Sequence, residues 1–324
     1  MRKSIWQKLL GSSIRTLFPV VLVLGLALIA VAFGLIYEAA QPPRAAYLIT
    51  PERLAQFTNT GKQITDESWV NSDGTAARGW LARGGANAPA IILLHRYGVD
   101  RSWLLNLGVQ LNAATNFTVL IPDLRGHGEN PKIDNTSFGG CEANDLSGGI
   151  QYLQSLKTET GEKLVGPKIG VYGVELGAIA AMLAASEQTS IQALALDSVP
   201  ASSDDALEAI VNAHSAFAGN LAGPLAQNVA PLYFMRVGCY KNTLLCNLAG
   251  SLSNRKVLLL AGRDAPQWQQ STTKLAACFG ASANVQKNLD LQPSGYNLVN
   301  FGTSEQQKAY SNILVKFFQE SLGG

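Results

Sequence analysis

The sequence predicts an α/β domain, a mostly parallel sheet with helices on both faces, carried behind one N-terminal transmembrane helix. Three observations predict it. Five short continuous apolar runs, PAIILLH, FTVLIPD, KIGVYGV, IQALALD and KVLLLAG, alternate with stretches of helical periodicity, and unbroken apolar strands are those covered on both faces. From Thr16 to Tyr37 there is no charge, and such a run is long enough to cross a hydrocarbon core of roughly 30 Å. From Val199 to Arg255 the alternation stops for roughly 55 residues, too many for an ordinary connection and enough for a helical cap.

Taken in order, residues 1–15 carry Arg2, Lys3, Lys8 and Arg15 and no acid. The positive-inside rule therefore puts residues 1–15 in the cytoplasm and the body outside, in a periplasm or extracellular space. Residues 16–37 read as the anchor. A cleaved signal peptide is the alternative, but cleavage after Ala40 or Ala39 would put Glu38 or Tyr37 at the third position back, so an uncleaved anchor is the favoured reading. Within the run, Ala27, Ala30 and Gly34 share one helical face, which would let a membrane-protein partner pack closely. An ordinary monomeric anchor in lipid has the same composition.

Residues 38–62 read as a Pro-containing linker. QITDESW and GTAARGWLA then read as half-buried strands around the turn NSDG. Residues 63–198 and 256–324 form the predicted core, with helices in WLLNLGVQLNAA, EANDLSGGIQYLQSL, LGAIAAMLAASEQ and SEQQKAYSNILVKFFQ. Residues 199–255 form the predicted cap over the C-terminal edge of the sheet, where open α/β sheets bind ligands.

Composition excludes some function classes. The 324 residues are 47% hydrophobic and 15% charged, with 25 basic against 23 acidic residues. Nearly balanced charge without a basic run gives no support for nucleic-acid binding. The Asn-x-Ser/Thr matches at Asn116 and Asn135 occur too readily by chance to signal glycosylation. Cys141, Cys239, Cys246 and Cys278 lack metal spacing, and no cofactor or metal is expected. Cys239 and Cys246 are near enough in sequence for a disulfide; two buried free thiols are the alternative, and spacing does not say whether Cys141 meets Cys278.

LLHRYG, IPDLRGHGEN, YGVELGA and LLAGRDAP, in this order, resemble the α/β-hydrolase superfamily, close to its esterase, monoglyceride-lipase and serine-aminopeptidase branch. The resemblance covers about Gln63 to Gln319. It implies a Gly-x-Ser-x-Gly elbow, in which the glycines let strand and helix approach and the strained turn presents a serine. Here Gly173 and Gly177 match, and Glu175 stands where the serine would be. Asp264 matches the acid position. The histidine expected after the last strand is replaced by Tyr296, which follows Gly295. The triad is degenerate: acyl transfer needs a nucleophile, a base and oxyanion donors, and two of the three side chains are changed.

Of the three histidines, His95 and His127 match structural positions, and His214 reads as a residue of the cap surface or its packing. Where the family has His-Gly-x-Gly beside the oxyanion site, this chain has His95, Arg96, Tyr97 and Gly98. A buried carboxylate needs a partner, so Arg96 is expected to pair with Glu175; a guanidinium turned to solvent is the alternative. Three functions follow as expectations: an anchored pseudoenzyme acting as a binding or accessory subunit of a membrane assembly, a hydrolase using Glu175 in a non-standard site, or a carrier or sensor of a small apolar ligand in the vacated pocket.

Overall fold

The computed structural model describes residues 5–56, 64–130, 133, 135–215, 221–280 and 284–323, without the side chains of residues 5–16, 300 and 301. The end of the predicted linker, at 57–62, the first residue of the predicted core, Gln63, and residues 216–220 of the predicted cap lie outside the described residues.

The chain enters through α1 (Ile5–Ala39), whose segment Leu17–Ala39 is 23 residues long and apolar enough to cross a membrane. A short helix, α2 (Pro51–Ala55), follows, capped by the Thr50 hydroxyl. Eight strands then form one sheet: β1 (Ile64–Val70), β2 (Ala76–Ala82), β3 (Ala88–Leu94), β4 (Thr118–Pro122), β5 (Val165–Val174), β6 (Ile191–Asp197), β7 (Lys256–Gly262) and β8 (Val285–Leu291). Their order is β1-β2-β4-β3-β5-β6-β7-β8. The β1–β2 and β2–β4 pairs are antiparallel and every other pair is parallel. The half-buried first strands therefore form the antiparallel edge, and the continuous apolar runs supply the parallel centre.

Helices α3 (Leu105–Thr115) and α10 (Ser304–Leu322) cover one face. The other face carries α4 (Gly140–Ser155), α5 (Leu176–Glu187) and α8 (Pro266–Cys278). Strand β5 shows why both faces are apolar: Ile169 and Val171 enter one core, while Tyr172 and Val174 enter the other. Between β6 and β7 lie α6 (Ser203–His214) and α7 (Ala222–Tyr233), and α9 (Leu298–Phe301) precedes α10. Helix α6 starts where the Ser202 hydroxyl caps it, and α10 starts at a capping box of Thr303 and Gln306.

Helix α1 ends against the body. Ala32, Ile36, Ala39 and Ala40 are buried, Ile36, Ala39 and Ala40 in the same core as α5 and the insertion, and Phe33 meets Tyr233 of α7 edge to face at 5.4 Å. The segment that follows is a strap lying along the body. Ala40 O accepts from the Thr136 amide at 2.8 Å, Arg44 donates to the Gly126 and Ile133 carbonyls, and the Tyr47 hydroxyl donates to Asp123 at 2.5 Å.

The cysteine expectation is corrected. Disulfides join Cys141 to Cys239 and Cys246 to Cys278, with Cα separations of 5.1 and 5.5 Å. Cys239 lies over the N-terminus of α4, where a Cβ on Gly140 would overlap the Cys239 carbonyl. Tertiary approach, not sequence proximity, selects the partner.

Candidate functional site

The centre of the site is the turn from β5 into α5. Gly173 and Gly177 are required there by close approach: a Cβ on Gly177 would stand 2.8 Å from the His95 carbonyl oxygen, and one on Gly173 would stand 2.7 Å from the Ala178 amide. Glu175, at the apex, has φ 48° and ψ −104°, a conformation costly for a residue with a Cβ. The side chain is thereby driven inward, and Glu175 is 2% exposed.

A backbone group receives its carboxylate. The Tyr97 amide, in the turn after β3, donates to Glu175 Oε2 at 2.8 Å, and the carboxylate lies at the start of α5. A helix N-terminus favours negative charge. Burial nonetheless raises the Glu175 pKa above its ordinary value, with the Tyr97 amide and the Arg96 charge opposing that rise.

The expected pairing of Arg96 with Glu175 is not made. Arg96 donates to the carbonyls of Tyr296 at 3.1 Å and Tyr97 at 3.0 Å, and its guanidinium lies between the rings of Tyr296 (4.7 Å) and Trp103 (5.1 Å). Planar Arg stacks well on aromatic faces. The carboxylate takes the Tyr97 amide instead.

Tyr296 therefore faces Arg96. Burial, and then the Glu175 charge, push its phenol above the ordinary range, so it is not a base at neutral pH. Asp264 is exposed and accepts from the Ser294 amide and hydroxyl, each at 2.9 Å. Sequence reasoning missed Asp197, at the end of β6. It is fully buried and accepts from Ser198 Oγ at 2.7 Å, Tyr310 OH at 2.6 Å and the Gly295 amide at 2.9 Å. An acid closing the apolar run IQALALD was its only signal. Asp197 and Asp264 together hold the loop that carries Tyr296.

The histidines are occupied. His95 Nε2 accepts from the Leu124 amide at 3.0 Å, so its Nδ1–H donates to the Arg96 carbonyl at 2.8 Å. His127 repeats the arrangement, accepting from the Gly98 amide at 3.1 Å and donating to the Arg125 carbonyl at 2.9 Å. An amide can only donate and a carbonyl only accept, which fixes both imidazoles as neutral Nδ1–H tautomers. Burial lowers the pKa of both. His214 is exposed at the end of α6, its Nδ1 2.8 Å from the Ile210 carbonyl.

The strap closes over this turn. The Tyr97 hydroxyl donates to the Ala39 carbonyl at 2.8 Å, and Pro43 lies 3.7 Å from the position of a Cβ on Gly98. Among the described residues no group of three His, Cys, Asp or Glu side chains is arranged to hold a metal ion.

The same fold occurs in solved structures. An esterase from Pyrococcus furiosus superposes with a TM-score of 0.64 at 21% identity, over 87% of this chain and 99% of that one. The chain has the α/β-hydrolase fold. An α/β hydrolase from a Penicillium species matches with a TM-score of 0.59 at 15% identity, covering 81% and 99% of the two chains. The acylaminoacyl peptidase of Pyrococcus horikoshii matches with a TM-score of 0.56 at 14% identity, over 83% of this chain and 43% of that one. No protein-family model and no curated protein matches the sequence. On this scaffold the Tyr97 amide binds a carboxylate of the chain itself.

That carboxylate makes stability depend on pH. Its folded pKa is raised, so folding takes up a proton between the unfolded value, about 4.3, and the folded one. The stability it contributes is present below the unfolded value and is lost as pH rises through the folded value. Glu175→Gln keeps the acceptor and removes the buried charge. Relative to wild type it should gain stability as pH rises above the unfolded value. Denaturant titrations of both proteins between about pH 4 and pH 8 check this; a constant difference between them would contradict it.

Proposed function

We propose that this is a membrane-anchored protein of the α/β-hydrolase fold that does not carry out acyl transfer and serves as a binding or accessory subunit of a membrane assembly. The observation that carries the reading is the Glu175 carboxylate on the Tyr97 amide, in the position where an acyl enzyme would hold a substrate oxyanion. A substrate carbonyl would have to displace a buried carboxylate to reach that amide. Tyr296 supplies no base, and both ring nitrogens of His95 and His127 are engaged.

The apolar segment of α1 supports attachment to a bilayer. The two disulfides support an oxidising compartment for the body, in agreement with the basic residues that precede the span. A hydrolase using Glu175 is less well supported, because a carboxylate nucleophile still needs a base to activate water for the second step. A carrier of small apolar ligands is less well supported because the strap lies across the mouth of the site.

The test is a panel of short- and medium-chain acyl esters offered to the full-length protein in detergent. Wild type and Glu175→Ser should both stay at the rate of the buffer, and so should Glu175→Ser combined with Tyr296→His, because Arg96 remains beside that amide. Turnover by wild type that disappears in Glu175→Gln would overturn the proposal.

A further inference from the structure

We infer that α7 and the turn after it form a second membrane contact, seated in the headgroup region of the same bilayer that α1 crosses. The inference rests on reading α1 as a span and goes beyond the accessory role proposed above.

The depth of α7 follows from α1. Leu17–Ala39 is 23 residues long, about 35 Å of helix against a hydrocarbon core of roughly 30 Å. Its last turns do not stand clear of the body, because Ala32, Ile36 and Ala39 are buried and Phe33 packs on Tyr233 at 5.4 Å. Phe33 lies about 9 Å below the end of the helix. Whatever touches Phe33 is therefore at the boundary between acyl chains and headgroups, and α7 touches it.

The free face of α7 has the composition such a position demands. Ala222, Ala226 and Ala230 turn inward and are buried. A surface helix of a soluble domain would present polar residues opposite them. Here Leu232 of α7 is 54% exposed, Leu221 just before the helix 80%, and Met235 and Val237 in the turn after it 71% and 47%, with an exposed Asn228 between the two leucines. Leu221 and Leu232 are eleven residues apart, about three helical turns, and so share one side of α7. Helix α1, packed beside α7, also exposes apolar side chains, among them Val31 and Tyr37. Tyr37 and Tyr233 have the amphipathic rings that collect at membrane interfaces. Arg236, exposed among the apolar residues, has the reach to place its guanidinium among lipid phosphates while its stem stays in the apolar layer. A largely apolar surface of this kind is rare on a face that meets water, and its junction with α1 through Phe33 and Tyr233 points to lipid as the occupant.

The test places a polarity-sensitive fluorophore on single introduced cysteines in the full-length protein, the native cysteines being engaged in disulfides. The positions are Met235→Cys, Val237→Cys, Leu24→Cys within the span, and Thr160→Cys in the exposed turn before β5. Each protein is reconstituted into phosphatidylcholine vesicles with and without lipids spin-labelled near the headgroup. Labels at 235 and 237 should lose about twofold or more of their emission to the spin-labelled lipid, and the label at 160 none. Quenching at 24 but not at 235 or 237 would leave the span standing and overturn the second contact. No quenching at any position would overturn both. Labels at 235 and 237 that are shielded from aqueous iodide without being quenched by lipid would mean that protein covers the face, which also overturns the inference.

Discussion

Removing the bridge between Cys141 and Cys239 should cost the protein more stability than removing the bridge between Cys246 and Cys278. The first closes a loop across 98 residues of sequence and the second across 32. Loop-closure entropy assigns them about 4.7 and 3.7 kcal/mol, values that native-state strain and residual structure in the unfolded chain reduce in practice. The longer bridge also pins the turn after α7 to the first turn of α4. The double variants Cys141→Ala/Cys239→Ala and Cys246→Ala/Cys278→Ala, unfolded by denaturant in detergent, give the comparison. Peptide mapping without reductant should recover Cys141 linked to Cys239. A bridged peptide containing Cys239 and Cys246 would refute the observed connectivity.

Arg101→Met is the second large loss expected, about 3 to 5 kcal/mol, the cost of leaving one member of a buried ion pair behind. Arg101 is 1% exposed and lies between the rings of Trp80 (4.5 Å) and Tyr47 (5.0 Å). Its guanidinium reaches Asp123 at 3.5 Å and Asp66 at 3.2 Å. The Asp123 side chain is fully buried, so its charge would lose its only cationic neighbour among the ion pairs of the described residues. Arg101→Lys should fall between the two, since a lysine keeps the charge but not the planar stacking. The strap gives a local readout because Tyr47 touches both residues. Amide exchange at residues 45–49 should accelerate in Arg101→Met under conditions where the sheet remains protected.

The sheet was legible because a strand buried on both faces leaves a mark that does not depend on its neighbours. PAIILLH and KVLLLAG read as strands before any partner is known, and they became β3 and β7. The elbow was legible for a similar reason: the spacing of Gly173 and Gly177 records two backbone approaches that admit no Cβ. The partner of Glu175 was not. Arg96 is the cation that stands beside the oxyanion turn in the sequence, but a guanidinium is satisfied equally by ring faces and carbonyls, and Tyr296 lies 200 residues away. A backbone amide, which carries no residue-type signal at all, took the carboxylate instead. The cysteines failed for the same kind of reason, since Cys141 finds Cys239 only after the insertion has folded back over α4. Residues 38–56 showed composition without destination. Their prolines suggest a connector, yet the partners that hold them, Tyr97, Asp123, Gly126 and Thr136, are distributed along the body.

On the proposed reading α1 begins in lipid and ends inside a folded core, and so answers to two sets of rules. Up to Val31, an exposed position needs only an oily side chain, and leucine, valine and isoleucine are interchangeable there. From Ala32 onward shape matters as well. Leucine at Ala32 is as soluble in acyl chains as alanine, but it would have to force its way between close-packed neighbours. Sequence drift should therefore be free along the first part of the helix and restrained along the second, although a hydropathy plot draws no line between them. The anchor is likewise not a cassette. Exchanging residues 1–37 for an unrelated span withdraws Ala32 and Ile36 from the interior, and a damaged body would be mistaken for a lost attachment. An exchange that stops at Val31 leaves the interior whole and alters only what the bilayer meets.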